Sequence, residues 1–326
     1  MTDMWAAQLV APSTFAHVRV PAPLVAALAP GEVLLRVRAG AICGSDMPLF
    51  KGAVQLRGGL GNHPDGAPPG PGCPMHEVVG DVVASRHPGF EPGVTVVGWA
   101  LAQDAIAELC ITEGDSLVPH DGRLPPAEAI VAQPLACAIY AVERMGDVCG
   151  RRVAVLGLGP IGMLFSHVLK TRGAHVVGVD RLNRTDTAPR FGVDEFVQAA
   201  CDRWAASLGP DDRPEIVVEA IGHQVGTLTC AIEAAAVGGL VYYFGVPDDL
   251  VYPVPMHAFF RKDLTLKAGT TKDRPRVLRL AQEYLHDHPA ILDAYVTDRL
   301  PMTSVQEAYD RAATPRAGQL KVVVEA

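Results

Sequence analysis

The stretch RRVAVLGLGPIGMLFSHVLKTRGAHVVGVD, residues 151–180, decides the fold. VAVLG is an uninterrupted apolar run of strand length, IGMLFSHVLK is a helix with an apolar face, and HVVGVD is a second buried strand. Where the first strand gives way to the helix stand Gly157, Gly159 and Gly162, in G-x-G-x-x-G spacing with Pro160 and Ile161 completing the turn. The first glycine makes a tight turn and the second lets backbone approach a pyrophosphate. The third lets helix pack on strand, and the helix N-terminus faces the phosphate charge. A chain with 32 glycines produces such spacings by chance, so the flanking strand and helix carry the inference. Asp180 closes the second strand, eighteen residues after Gly162. Its carboxylate is placed to accept hydrogen bonds from an adenosine ribose and to repel a 2′-phosphate, which favours NAD over NADP. Arg181 and Arg184 follow at once, and either can pair with a phosphate instead.

Downstream, EIVVEAIG, the helical GTLTCAIEAAA, GLVYYFGV and LTLKAGTT continue the alternation of strand and helix. That order predicts an α/β unit with a doubly wound parallel sheet. Upstream the pattern differs. WAAQLV, GEVLLRVRAGAI, HEVVGDVVA, VTVVGW and AELCIT are short runs punctuated by Gly and Pro, as in a β-rich region. Between them, RGGLGNHPDGAPPGPG (57–72) is too rich in Gly and Pro for regular structure, and reads as a mobile loop of the kind that serves as a lid or as a plain surface insertion. PPAEAIVAQPLACAIYAVERM reads as helices, and the tail from PRVLRLAQEYLHDHP to LKVVVEA returns to a helix–strand mixture.

The 326 residues suggest about two domains. An apolar share of 49% with 20% charged residues is globular, and the net charge of −8 offers no basic footprint for nucleic acid or an anionic membrane. No apolar run approaches the roughly 20 residues that span a bilayer, and no signal-peptide pattern opens the chain. Seven dispersed cysteines without a C-x-x-C pair argue for a reduced, cytoplasmic setting.

Two short motifs remain. AICGSDMPLF (41–50) places Cys43 in a Gly-Ser-Asp turn, and GCPMHEVVG (72–80) carries His76 beside Glu77. CGSD, the His-Glu pair, QPLACA, GLGPIG closing in VGVD, and a late FGV occur in that order. The ordered set resembles the zinc-containing medium-chain dehydrogenases/reductases, the superfamily of alcohol, sorbitol and threonine dehydrogenases, over nearly the whole chain.

The resemblance implies a GroES-like catalytic domain built from both chain ends, residues 1–134 and 272–326, around a Rossmann domain at 135–271. It implies one catalytic zinc with Cys43 and His76 as ligands, and Glu77 as a third ligand or an exchangeable outer carboxylate. Thiolate, imidazole and carboxylate suit this ion. Asp46 would fix the histidine tautomer, Ser45 would relay the substrate proton, and Phe244, Gly245 and Val246 would position the nicotinamide through backbone groups. A homodimer or homotetramer is expected, paired across the strand near LTLKAGTT. The substrate class implied is a small alcohol or ketone. CGSDMPLFKG is similar to cyclitol and aminocyclitol dehydrogenases, which points to a polyol, sugar or (amino)cyclitol.

Three departures stand out. Gln133 occupies the place of the family's common glutamate, so this outer position is neutral. Met75 replaces the glycine that usually precedes the histidine. The four-cysteine lobe that holds a structural zinc in many relatives is missing, so at most one zinc per chain is expected. Cys73 is a substitute ligand candidate, and Cys137 reads as core. Two rival readings follow from the departures: a zinc-free quinone or enone reductase of the same superfamily, and a non-catalytic dinucleotide-binding module.

Overall fold

Alternating apolar residues in the first third of the chain fold as strands because one face of each is buried and the other is not. The computed structural model describes residues 3–52 and 69–326. Most of the Gly/Pro loop, residues 57–68, lies outside the described residues. Along the chain run β1 (Asp3–Ala11), β2 (Thr14–Pro21), β3 (Glu32–Ala41), β4 (Glu77–Ser85), β5 (Thr95–Trp99), β6 (Leu109–Glu113) and β7 (Leu117–Pro119). The strands β8 (Arg152–Leu156), β9 (His175–Asp180), β10 (Glu195–Gln198), β11 (Ile216–Glu219), β12 (Leu240–Tyr243) and β13 (Thr265–Ala268) follow, and β14 (Val296–Pro301) and β15 (Lys321–Glu325) close the chain. The chain divides into two compact units, residues 1–136 with 273–315 and 319–326, and residues 137–272 with 316–318.

In the first unit, β14-β15-β3-β4-β5-β7 form one sheet with β6 paired to β3, while β1 and β2 form a separate hairpin. Val33, Leu35 and Val37 of β3, Val78 and Val82 of β4, and Val322 and Val324 of β15 share one apolar cluster with Phe50 and Tyr309. Each such side chain taken fully out of water contributes roughly 1.5–3 kcal/mol. The register sets Ala41 opposite both Glu77 and Val323, so the end of β3 is flanked by the start of β4 and by β15. Met75, the residue in the family's glycine position, is fully buried, and its sulfur fills the space a Cβ would need at Gly40. Glycine at position 40 leaves the room that the Met75 side chain fills.

The second unit is the parallel sheet β10-β9-β8-β11-β12-β13. Ala154, Leu156, Val177, Val179, Val217 and Val241 lie in its core, which explains why these strands read as unbroken apolar runs. Strand order reverses between β8 and β11, so the crevice outside their carboxyl ends is the ligand position expected of such sheets. Four elements with no counterpart in the sequence reading are β7, β10 and the helices Cys201–Ser207 and Met256–Arg261. No residue of β10 is fully buried, so its sequence EFVQ carries little apolar signal. Nor does the sequence foresee that Arg316–Gly318 group with this unit, where the Arg316 carbonyl accepts a hydrogen bond from Arg184 Nη1 at 3.3 Å. Among the described residues, no helix is long and apolar enough to cross a membrane.

Candidate metal centre and dinucleotide site

Beyond β3 the chain turns through a 3-10 segment, Gly44–Asp46, with Cys43 as its cap. Asp46 is fully buried. One of its carboxylate oxygens accepts the Cys43 backbone N–H at 2.8 Å, and the other accepts His76 Nδ1–H at 3.0 Å. One carboxylate thereby fixes both turns. It also fixes the tautomer of the neutral ring: with Nδ1 donating, Nε2 is the nitrogen that offers a lone pair once its proton is given up. Burial alone lowers the affinity of His76 for a proton, but the Asp46 charge and hydrogen bond outweigh it and hold the imidazole well above its ordinary pKa. The carbonyl of His76 accepts Ala100 N–H at 2.7 Å, locking its backbone to the end of β5.

Ligand atoms of Cys43, His76 and Glu77 all lie within 4.8 Å of one another, the one such trio among the described residues. Glu77 is fully buried. Its Oε1 accepts a hydrogen bond from Lys321 Nζ at 2.5 Å, while Oε2 is buried with no partner in the protein. Burial pushes the Glu77 carboxyl up, and the Lys321 ammonium opposes that shift. A sulfur, an imidazole nitrogen and a carboxylate with one unpartnered oxygen form a donor set that suits zinc. The residues present therefore fit the metal. Ser45 lies on the same 3-10 segment, partly exposed.

Cys73 stands outside this trio. Its thiol is pushed up to about 12 by burial and by the Asp46 and Asp104 carboxylates, which disfavours the thiolate a metal needs. Gln133 is buried, on the helix Ala132–Met145, and Cys137 of that helix is only half-buried.

In the second unit the glycine turn has the geometry of a phosphate cradle. Gly157 has φ +89°, in the region that favours glycine, and a Cβ there would strike Ile221. A Cβ on Gly162 would strike the Gly157 carbonyl, so this glycine serves helix-to-turn packing. Gly159 differs. It caps the helix Pro160–Thr171, and no protein atom lies within 4 Å of where its Cβ would be. Packing does not require glycine there, whereas the approach of a pyrophosphate to the helix N-terminus does. The turn fits a dinucleotide.

Asp180 is more constrained than the sequence suggests. Its Oδ2 accepts Leu158 N–H at 2.7 Å, inside the glycine turn, and its Oδ1 accepts Leu182 N–H at 2.8 Å. The carboxylate thus holds the turn in shape and has its remaining lone pairs for ribose hydroxyls. The two arginines separate. Arg181 is exposed. Arg184 is buried, its Nε 4.0 Å from Asp180, and burial lowers its pKa. Arg184 is a partner of the protein itself rather than a free arm for a phosphate.

Phe244 packs edge-on against Phe165, with ring centroids 4.9 Å apart. The amide of Gly245 is taken by Glu219, and the Val246 carbonyl accepts His223 N–H at 2.9 Å. Glycine at 245 is required by packing, because a Cβ would strike the Glu219 carboxylate and Gly222. Sequence reasoning missed Glu219. This fully buried carboxylate accepts N–H groups from Ile221, Gly222 and Gly245, tying together the turns after β11 and β12. An acidic residue ending an otherwise apolar strand, IVVE, was the available signal. It also missed Lys321, for which the local sequence LKVVVEA gives no partner.

Residues 29–123 match the family described as alcohol dehydrogenase GroES-like domain, and residues 129–326 match the family described as glucose dehydrogenase C-terminus. The sequence is 26% identical to L-idonate 5-dehydrogenase (NAD(P)(+)) of Escherichia coli, over 84% of this chain and 86% of that protein. It is 28% identical to D-altritol 5-dehydrogenase of Agrobacterium fabrum, over 86% of this chain and 88% of that protein. The structure is similar to that of alcohol dehydrogenase TADH from Thermus sp. ATN1, with a TM-score of 0.80 at 25% identity, covering 99% of this chain and 100% of that one. Since the second family match spans more than half of the sequence and the first accounts for the β-rich start, the chain belongs to the zinc-containing medium-chain dehydrogenases/reductases, NAD(P)-dependent enzymes acting on CH–OH groups.

Proposed function

We propose that this chain interconverts a secondary hydroxyl of a polyol, sugar or (amino)cyclitol and the corresponding ketone, preferring NAD, with zinc held by Cys43, His76 and Glu77. The observation that carries the reading is the convergence of these three donors, two of them, Cys43 and His76, held by one carboxylate, Asp46. The names of its polyol-oxidising relatives support the substrate class. Convergent donors speak against the zinc-free alternative.

When bound, zinc supplies Lewis acidity that lets a substrate hydroxyl lose its proton near neutral pH. Asp46 keeps His76 Nδ1 protonated, so that Nε2 presents its lone pair, and it holds the Cys43 turn rigid. Ser45 passes the hydroxyl proton outward. The Gly159 amide end of the helix binds the pyrophosphate, and Asp180 accepts the ribose hydroxyls. The hydrogen of the carbinol carbon passes together with its bonding pair to a bound nicotinamide, while the oxygen pair freed by the departing proton closes the C=O bond; Glu219 holds the backbone that leads into residues 244–246. Elemental analysis and a panel of polyols with NAD and NADP test the reading. About one zinc per chain and chelator-sensitive oxidation are expected; a metal-free protein that oxidises alcohols at full rate rejects it.

We place the protein in the cytoplasm, in keeping with seven cysteines of which none forms a disulfide. The chain is also proposed to assemble as a homodimer or homotetramer through β13. That strand ends its sheet with Thr265, Leu266 and Ala268 exposed, and Met256 and Phe260 nearby in sequence are 62% and 76% exposed. Light scattering is expected to return a multiple of the chain mass; a monomer at micromolar concentration excludes the assembly.

A further inference from the structure

The group that the proposed chemistry leaves unused is Lys321. It is 2% exposed, the first residue of β15, and 244 positions from the carboxylate it contacts. Burying an ammonium is costly, and the rest of the strand is Val322–Val324, so an apolar residue at 321 would fit the core with less penalty. Its contact is specific. The ammonium takes Glu77 Oε1, and Oε2 of this carboxylate, which belongs to the donor trio, is left without a partner in the protein.

We infer that Lys321 is a positioning residue that divides the Glu77 carboxylate between itself and the metal, keeping Glu77 a weak, exchangeable donor beside two firm ones, Cys43 and His76. The inference rests on the zinc reading above. Its physical basis is charge. Thiolate, carboxylate and a divalent cation sum to zero, and a buried ammonium against the carboxylate draws electron density away from the cation. A more electron-poor cation is the stronger Lewis acid and the more readily released one. A lysine here therefore trades metal retention for acidity, and geometry accomplishes this through one 2.5 Å contact.

The test uses the zinc-loaded enzyme and follows zinc release to excess chromogenic chelator, together with the pH profile of turnover. Lys321→Met frees Glu77 to close on the metal, so release is expected to slow at least tenfold and the alkaline-going rise of turnover to move up by about one pH unit. Lys321→Arg, which keeps the charge and the contact, should stay within about threefold of the parent. Release from a folded Lys321→Met protein at the parental rate or faster overturns the inference. If Lys321→Met does not fold, the double variant Lys321→Met with Glu77→Gln decides. It carries no charge at either position, and zinc release at least tenfold faster than the parent supports a shared donor, whereas parental release shows that the pair is only a structural counter-ion couple and overturns it. A parent protein that takes up no zinc would instead defeat the functional reading on which the inference stands.

Discussion

Cys43→Ser leaves a folded protein without zinc, and turnover falls about 10³-fold or more. The fold survives because the change is nearly isosteric, the thiol is free and half-buried, and the hydrogen bond from position 43 to Asp46 comes from the backbone amide. Asp46 and His76 keep their contact, so the site remains assembled around a missing donor. What is lost is the thiolate. A serine hydroxyl stays protonated near neutral pH and is a poor ligand for this ion, leaving an imidazole and a carboxylate already shared with Lys321. Zinc content by elemental analysis and thermal unfolding of the metal-free forms measure the two halves of the result. Stoichiometric zinc with parental turnover in the variant would show that the sulfur is merely a core atom.

The second large effect is expected at Gly159→Val. Its backbone has φ −72°, which any residue adopts, and open space surrounds the position of its Cβ. The protein therefore gives up little, and thermal stability without cofactor should change by no more than a few degrees. The added isopropyl group fills the space beside the first turn of the helix, where a pyrophosphate must come close to backbone N–H groups. Affinity for NAD(P) should fall about 100-fold, equivalent to roughly 3 kcal/mol. Calorimetric titration of both proteins reads it. Unchanged affinity would place the dinucleotide elsewhere. Gly162 cannot serve this purpose, because a Cβ there meets the Gly157 carbonyl and disturbs the turn itself.

Both substitutions fall at positions legible in the sequence, and for the same reason. The glycine turn and the Cys-Gly-Ser-Asp turn are local objects whose residues act on one another within a few positions. The parallel sheet was legible as well, because strands buried on both faces must be apolar throughout. β10 was not, since a half-exposed edge strand of four residues shows no pattern. Asp180 was visible as a strand-end carboxylate, yet its bonds to Leu158 and Leu182 reassign part of its role from ligand to scaffold. Arg184 and Arg181 look alike in the sequence, and only burial tells them apart. Gly245, expected as a cofactor contact, proves to be needed for close approach to Glu219.

The sequence by itself determined which side chains were available for chemistry and that the chain holds both a dinucleotide-binding sheet and a β-rich part. Tertiary structure alone decided which of those side chains meet. Ala41 sits opposite Glu77 on one side and Val323 on the other, and this register brings Lys321 to a carboxylate 244 residues away. Strand pairing joins segments through backbone hydrogen bonds that every residue can make, so the identity of distant neighbours leaves no mark in the local order of amino acids.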